Sequence, residues 1–178
     1  SDEKLEVLLC ESAQLLRDGE PVQAESGEAS LDDALAEIEA ENLRFLFLLQ
    51  EVDEAVKIEI EIATRDDESN PAYAARLLPA RLSTLLRQNE AQNAYGEIRT
   101  ETEKQLARFV ALWPDELETA ARERKPQRVA RFVLEMSEAA RAVLAASRPD
   151  EAVSTEVLRA ALVVAQNALR VLNIEPRE

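Results

Sequence analysis

The residues best equipped to act on another molecule are five cations within ten positions: Arg122, Arg124, Lys125, Arg128 and Arg131. Arginine presents a planar fork of donors that fits phosphate, and lysine adds a compact charge. The chemistry on offer is anion binding. Two readings stand side by side: a phosphate-contact patch, or a solvated junction between two helices. Catalytic material is scarce. Histidine is absent from all 178 residues, which removes the commonest general base and the commonest metal ligand. Cys10 is the single cysteine and lies in the apolar run Val7-Leu8-Leu9-Cys10, so it reads as a buried residue. Neither a zinc site nor a Cys–His nucleophile is expected. The carboxylate pairs Asp32–Asp33 and Asp66–Asp67 are adjacent, and adjacent side chains point in different directions. They read as helix-start and loop charges, not as an acid–base couple. No catalytic residue, metal or cofactor is expected.

Charge is distributed unevenly. Residues 1–70 hold 5 basic and 21 acidic side chains, a net −16, whereas residues 71–119 carry −1 and residues 120–178 carry +2. The N-terminal part should repel nucleic acid and the C-terminal part tolerate it. A hydrophobic content of 46% excludes disorder by composition, and only 3 Gly and 4% aromatics among many Ala, Leu, Glu and Arg favour helices. No apolar run is long enough to span a membrane, and no basic start leads into an apolar leader. A cytoplasmic protein is expected, with no membrane partner.

Periodicity supplies the elements that must position these residues. Residues 4–23 read as a β-hairpin, with Asp18-Gly19 at the turn and Pro21-Val22-Gln23 beginning the return. Ser30 reads as an N-cap with Asp33 three residues on, opening a helix to about Gln50. Residues 56–62 alternate strictly and read as a strand. Asn70 caps and Pro71 begins the next helix, with a buried stripe from Tyr73 to Leu86 and a kink at Pro79. A polar loop is expected around Gln88–Asn93. Leu106, Phe109, Val110 and Trp113 keep helical spacing. Pro114 and Pro126 should each begin a helix, Ser147–Asp150 should turn, and Ser154 or Thr155 should cap the last helix. The predicted fold is mostly α: an antiparallel bundle over 70–178, preceded by an acidic hairpin–helix–strand segment over 1–69.

Several motifs share an order and a spacing. They are Ser30-Leu31-Asp32-Asp33-Ala34-Leu35, Leu43-Arg44-Phe45, Asn70-Pro71-Ala72-Tyr73, Ala80-Arg81, Leu112-Trp113-Pro114, Pro126-x-Arg128 and Ala168-Leu169-x-x-Leu172-Asn173-Ile174. Together they resemble the C-terminal, DALR-type anticodon-binding region of arginyl-tRNA synthetases over nearly the whole chain. The resemblance implies the class I anticodon-binding bundle and makes Tyr73 and Arg81, with the basic cluster, candidate RNA-binding residues. It implies an arginine tRNA as the first candidate partner.

The departures are informative. Where the family carries its lysine-containing KMSKS-type loop, this chain has Gln23, Ala24, Glu25, Ser26, Gly27 and Glu28. The family's lysines stabilise charge developing on ATP phosphates, and Glu25 and Glu28 would oppose it. The absence of histidine also removes the HIGH-type signature, so aminoacylation by this chain is not expected. Family aromatics are replaced by Ala74, Leu78 and Pro79, and later by Ala140, Val143 and Leu144. Tyr73 and Trp113 remain, but one aromatic at helical spacing reads as core before it reads as a stacking platform. Three functions are compatible with this pattern: a non-catalytic synthetase relative that binds tRNA, a protein-interaction or regulatory module using the acidic face, or one piece of a split or multidomain protein.

Overall fold

The computed structural model describes residues 11–24, 27–51, 54–91, 97–146 and 153–177. Expectations for Leu5–Cys10 and for the turn at Ser147–Asp150 lie outside these residues. Strand β1 (Ala13–Arg17) pairs antiparallel with β2 (Glu20–Pro21) and parallel with a later strand, β5 (Val56–Glu59), in the order β2-β1-β5. The turn is the one Asp-Gly announces: Asp18 and Gly19 both have positive φ, 51° and 80°. That is the backbone twist a two-residue hairpin requires. Residues 23–28 are a second small ladder, β3 (Gln23–Ala24) against β4 (Gly27–Glu28), with Gln23 opposite Glu28.

Ser30 caps α1 (Leu31–Glu37) in a reciprocal box: its hydroxyl accepts from the Asp33 N–H, and Asp33 Oδ2 accepts from the Ser30 N–H at 2.8 Å. The helix expected to reach Gln50 is instead two helices, α1 and α2 (Ala40–Leu48). Ile38 turns extended, with φ −107° and ψ 131°, and is buried there. Burying Ile38 and directing Glu39 toward Arg76 requires the chain to change direction. The strand expected over 56–62 ends at Glu59 and gives way to α3 (Ile60–Ala63). Ile60 and Ala63 are both buried while Ile62 is 39% exposed, so burial follows i, i+3 and not alternation.

Asn70 Oδ1 accepts from the Ala72 N–H at 3.0 Å, and Pro71 opens α4 (Pro71–Arg76). The break that Pro79 demands falls at Leu77, between α4 and α5 (Leu78–Ala91). Of the loop expected over Gln88–Asn93, the described part continues α5 to Ala91, where Asn89 is buried and its Nδ2 donates to the Val153 carbonyl at 2.5 Å; Gln92 and Asn93 lie outside the described residues. Pro114 starts no helix. It lies inside α6 (Glu101–Glu123), which runs on across it. Trp113 and Phe109, on the near side, pack against Phe132, with ring centroids 5.3 and 5.4 Å away. Tertiary packing thus holds the helix where proline removes one backbone bond. Pro126 does open α7 (Pro126–Ala146), and Ser154 caps α8 (Thr155–Val171).

These helices form the expected bundle. Helix α6 packs on α7 and α8, α5 packs on α8 and α7, and α4 and α2 close against α7. Val129, Val133, Met136, Leu158, Ala165 and Leu169 fill its centre. Burial of each such aliphatic side chain is worth about 1.5–3 kcal/mol, which makes the bundle interior the principal stabilising core.

Candidate nucleic-acid interface

The basic cluster spans the reversal from α6 to α7. Arg124 takes the left-handed conformation, with φ 57° and ψ 40°. The Lys125 N–H bonds to Ala120 O at 2.9 Å and the Arg124 N–H to Ala121 O at 3.3 Å. These paired bonds close α6 in a Schellman turn, and Lys125 O then accepts from the Arg128 N–H at 3.1 Å to start α7. Two residues therefore reverse the chain, and all five cations stand at one end of the α6–α7 pair.

They are not equally available. Arg122 is exposed, with Glu118 at 3.6 Å. Arg128 meets Glu116 with two nitrogens, Nε at 2.8 Å and Nη2 at 2.9 Å, while Glu123 lies 3.9 Å from Nη1. Arg131, half exposed, contacts Glu51 at 2.7 Å. Arg128 and Arg131 border an open groove of about 330 Å³ between α6 and α7, walled by Phe109, Leu112, Phe132 and Glu116. Here apolar wall and guanidinium stand together.

The other two candidates lie elsewhere. Tyr73 is half-buried on α4, with the Arg177 guanidinium 5.0 Å over its ring. Arg81 is turned inward, 12% exposed, paired with Glu68 and donating to Ser137 Oγ at 3.4 Å. The structure groups the five cluster cations and gives Tyr73 and Arg81 separate partners. In the 23–28 segment, Glu25 and Ser26 lie outside the described residues, and the flanking backbone forms the β3–β4 ladder.

Sequence reasoning missed Glu51 and Gln127. Glu51 Oε2 accepts from Gln127 Nε2 at 2.7 Å, so the acidic N-terminal segment reaches the basic face. The hydrogen bond from Gln127, and then Arg131, hold the Glu51 carboxyl below the usual carboxylate range against the opposing effect of burial. Nothing in the spacing of Glu51 marked it out from the other acidic residues among the 21 in residues 1–70. Gln127 left a faint signal, a polar residue one turn before Arg131.

A helical bundle with a cationic reversal at one end defines the class of domain. The chain belongs to the DALR anticodon binding domain family, whose profile matches residues 78–178. It is 30% identical over 149 residues to the arginine–tRNA ligase of Desulfitobacterium hafniense (strain Y51), covering 76% of this chain and 26% of that protein. Against the arginine–tRNA ligase of Bacillus subtilis (strain 168) it is 24% identical over 191 residues, covering 98% and 34%. The chain thus spans about a quarter to a third of the length of these curated relatives. Among solved structures, a Campylobacter jejuni protein assigned provisionally as an arginyl-tRNA synthetase superposes with a TM-score of 0.80 at 18% identity, over 95% of this chain and 40% of that one. The arginyl-tRNA synthetase of Thermus thermophilus gives 0.67 at 16% identity, over 95% and 34%. These likenesses establish the mostly helical fold expected from the sequence. Among the described residues no helix is long and apolar enough to cross a membrane, and no group of acidic or thiol side chains is arranged to hold a metal.

Proposed function

We propose that this chain binds tRNA through its bundle, with an arginine tRNA as the first candidate, and that it carries no aminoacylation step itself. In this reading residues 70–178 are the binding bundle, residues 1–69 are an acidic appendage, and the protein acts in the cytoplasm. The observation that carries the reading is that the anticodon-binding family match, residues 78–178, contains the α6–α7 reversal with its five cations. Absence of catalysis is supported by the sequence of 23–28, which offers two glutamates and no lysine where the related loop stabilises phosphate charge.

The test is titration of the protein with an arginine tRNA and an unrelated tRNA at low and moderate salt. Salt-sensitive binding that favours the arginine tRNA is the expected result. Arg128→Ala with Arg131→Ala should loosen binding and flatten the salt dependence by about 0.7–0.9 per lost phosphate contact. Absence of binding at low salt would end the reading.

A further inference from the structure

Arg131 and Gln127 lie one turn apart on α7 and converge on a single carboxylate. Glu51 Oε1 is 2.7 Å from Arg131 Nη1, and Glu51 Oε2 is 2.7 Å from Gln127 Nε2. The two donors differ in character. Gln127 is 2% exposed, and its other amide atom, Oε1, is buried without a hydrogen-bond partner. Its side-chain hydrogen bond is the donor's, to Glu51. A buried acceptor left unsatisfied is costly. Arg131 is half exposed and pairs with Glu51.

The carboxylate comes from a different kind of element. Glu51 lies past the end of α2, in the connection to β5, and its side chain is 27% exposed. The donors are fixed to a 21-residue helix, whereas the acceptor can leave by rotation of one side chain. A carboxylate and a phosphodiester each offer two oxygens sharing one negative charge. Donors spaced for the first also suit the second.

We propose that the position of the Glu51 carboxylate is a phosphate subsite, where Arg131 and Gln127 hold one backbone phosphate of an RNA and Glu51 is the resident competitor. The inference rests on the tRNA-binding reading above. Arg128 is the contrasting case. Glu116 faces it from α6, within the same helical pair, so that acceptor stands on a helix and not on a connection. Lys125 sits close enough for its charge to act on Glu51, and it would act likewise on an incoming phosphate. The acidic N-terminal segment thereby sets a threshold: a ligand must outcompete Glu51 to reach Arg131.

The decisive comparison is Glu51→Gln against Glu54→Gln. Glu54 is an exposed neighbour on the same connection, so both variants remove one negative charge. With an arginine tRNA transcript, Glu51→Gln should tighten binding on the order of five-fold and steepen the salt dependence, well beyond Glu54→Gln. Adding Arg131→Ala should erase the gain. Equal effects from the two single variants, or no gain from Glu51→Gln while wild type binds, would overturn the subsite and leave tRNA binding standing. If neither wild type nor Glu51→Gln binds tRNA at low salt, the tRNA reading falls. Retention on heparin then decides the subsite alone. Later elution of Glu51→Gln than of Glu54→Gln supports it, and co-elution overturns it.

Discussion

Arg76 and Asn42 meet inside the molecule, where Arg76 Nη1 donates to Asn42 Oδ1 at 2.8 Å and both residues are buried. Asn42 Nδ2 in turn donates to the Ala63 carbonyl at 3.2 Å. Arg76 Nε donates to the Glu175 carbonyl at 3.0 Å, and its Nη1 lies 2.7 Å from Glu39. One guanidinium therefore links α2, α4 and the C-terminal tail, and through Asn42 it reaches α3. This linkage ties α2, whose C-terminal end leads to Glu51, to α4 and the C-terminal tail.

Arg76→Ala should cost about 2–4 kcal/mol of stability, because it strands the Asn42 and Glu175 acceptors and leaves Glu39 with only the more distant Arg177, 3.8 Å away. Glu39 is partly exposed, which places the loss below that of a fully buried pair. Urea unfolding measures it. A midpoint within experimental error of wild type would refute this role.

Glu103 predicts an acid dependence. It is buried at the start of α6, where Oε2 accepts from the Thr100 N–H at 2.9 Å and Oε1 from the Ser154 N–H at 2.9 Å. Burial pushes its pKa up, but the N–H groups of Thr100 and Ser154 and the Thr100 hydroxyl outweigh it, and the net shift is downward. A depressed folded pKa contributes stability that is present above the unfolded value, about 4.3, and is lost as pH falls through the folded value. Glu103→Gln turns an amide donor toward one of these N–H groups, so it should destabilise at neutral pH by about 2 kcal/mol. The gap from wild type should narrow as pH falls below the unfolded value and through the lower folded one. Thermal melts across that range test it, and a gap independent of pH would contradict it.

Pro114→Ala should stabilise. The change restores a backbone donor within a continuous helix, worth up to about 3 kcal/mol in an ideal interior and less here because proline also restricts the unfolded chain. A rise of about 1–2 kcal/mol corresponds to several degrees in melting temperature. A fall would mean that α6 needs the bend proline imposes to seat Trp113 on Phe132.

Arg81→Met should separate structure from recognition. Its guanidinium is largely buried between Glu68 and Ser137, away from the α6–α7 reversal. Stability should drop by about 1–2 kcal/mol while tRNA affinity at fixed salt stays within two-fold of wild type. A selective loss of affinity would place Arg81 in the interface.

Local signals were legible where one or two residues dictate backbone geometry. Asp18-Gly19 made the hairpin turn, Ser30 with Asp33 made the capping box, Asn70-Pro71 opened α4, and Pro126 opened α7. The apolar period of α7 and α8 made the bundle readable, because a continuous buried stripe has few other uses. The cationic reversal was also visible as composition. Helix ends and interruptions were not. Ile38 leaves its helix to reach the core, Ile60–Ala63 coils where alternation suggests a strand, and α6 runs through Pro114 because Phe132 holds it from outside. In each case packing contributes more than the local preference it overrides. Only the tertiary structure decided which charges are spent. Arg76, Arg81 and Arg131 look alike in the sequence, but Glu39, Glu68 and Glu51 lie 37, 13 and 80 positions away from them, and the fold alone brings each acid to its partner.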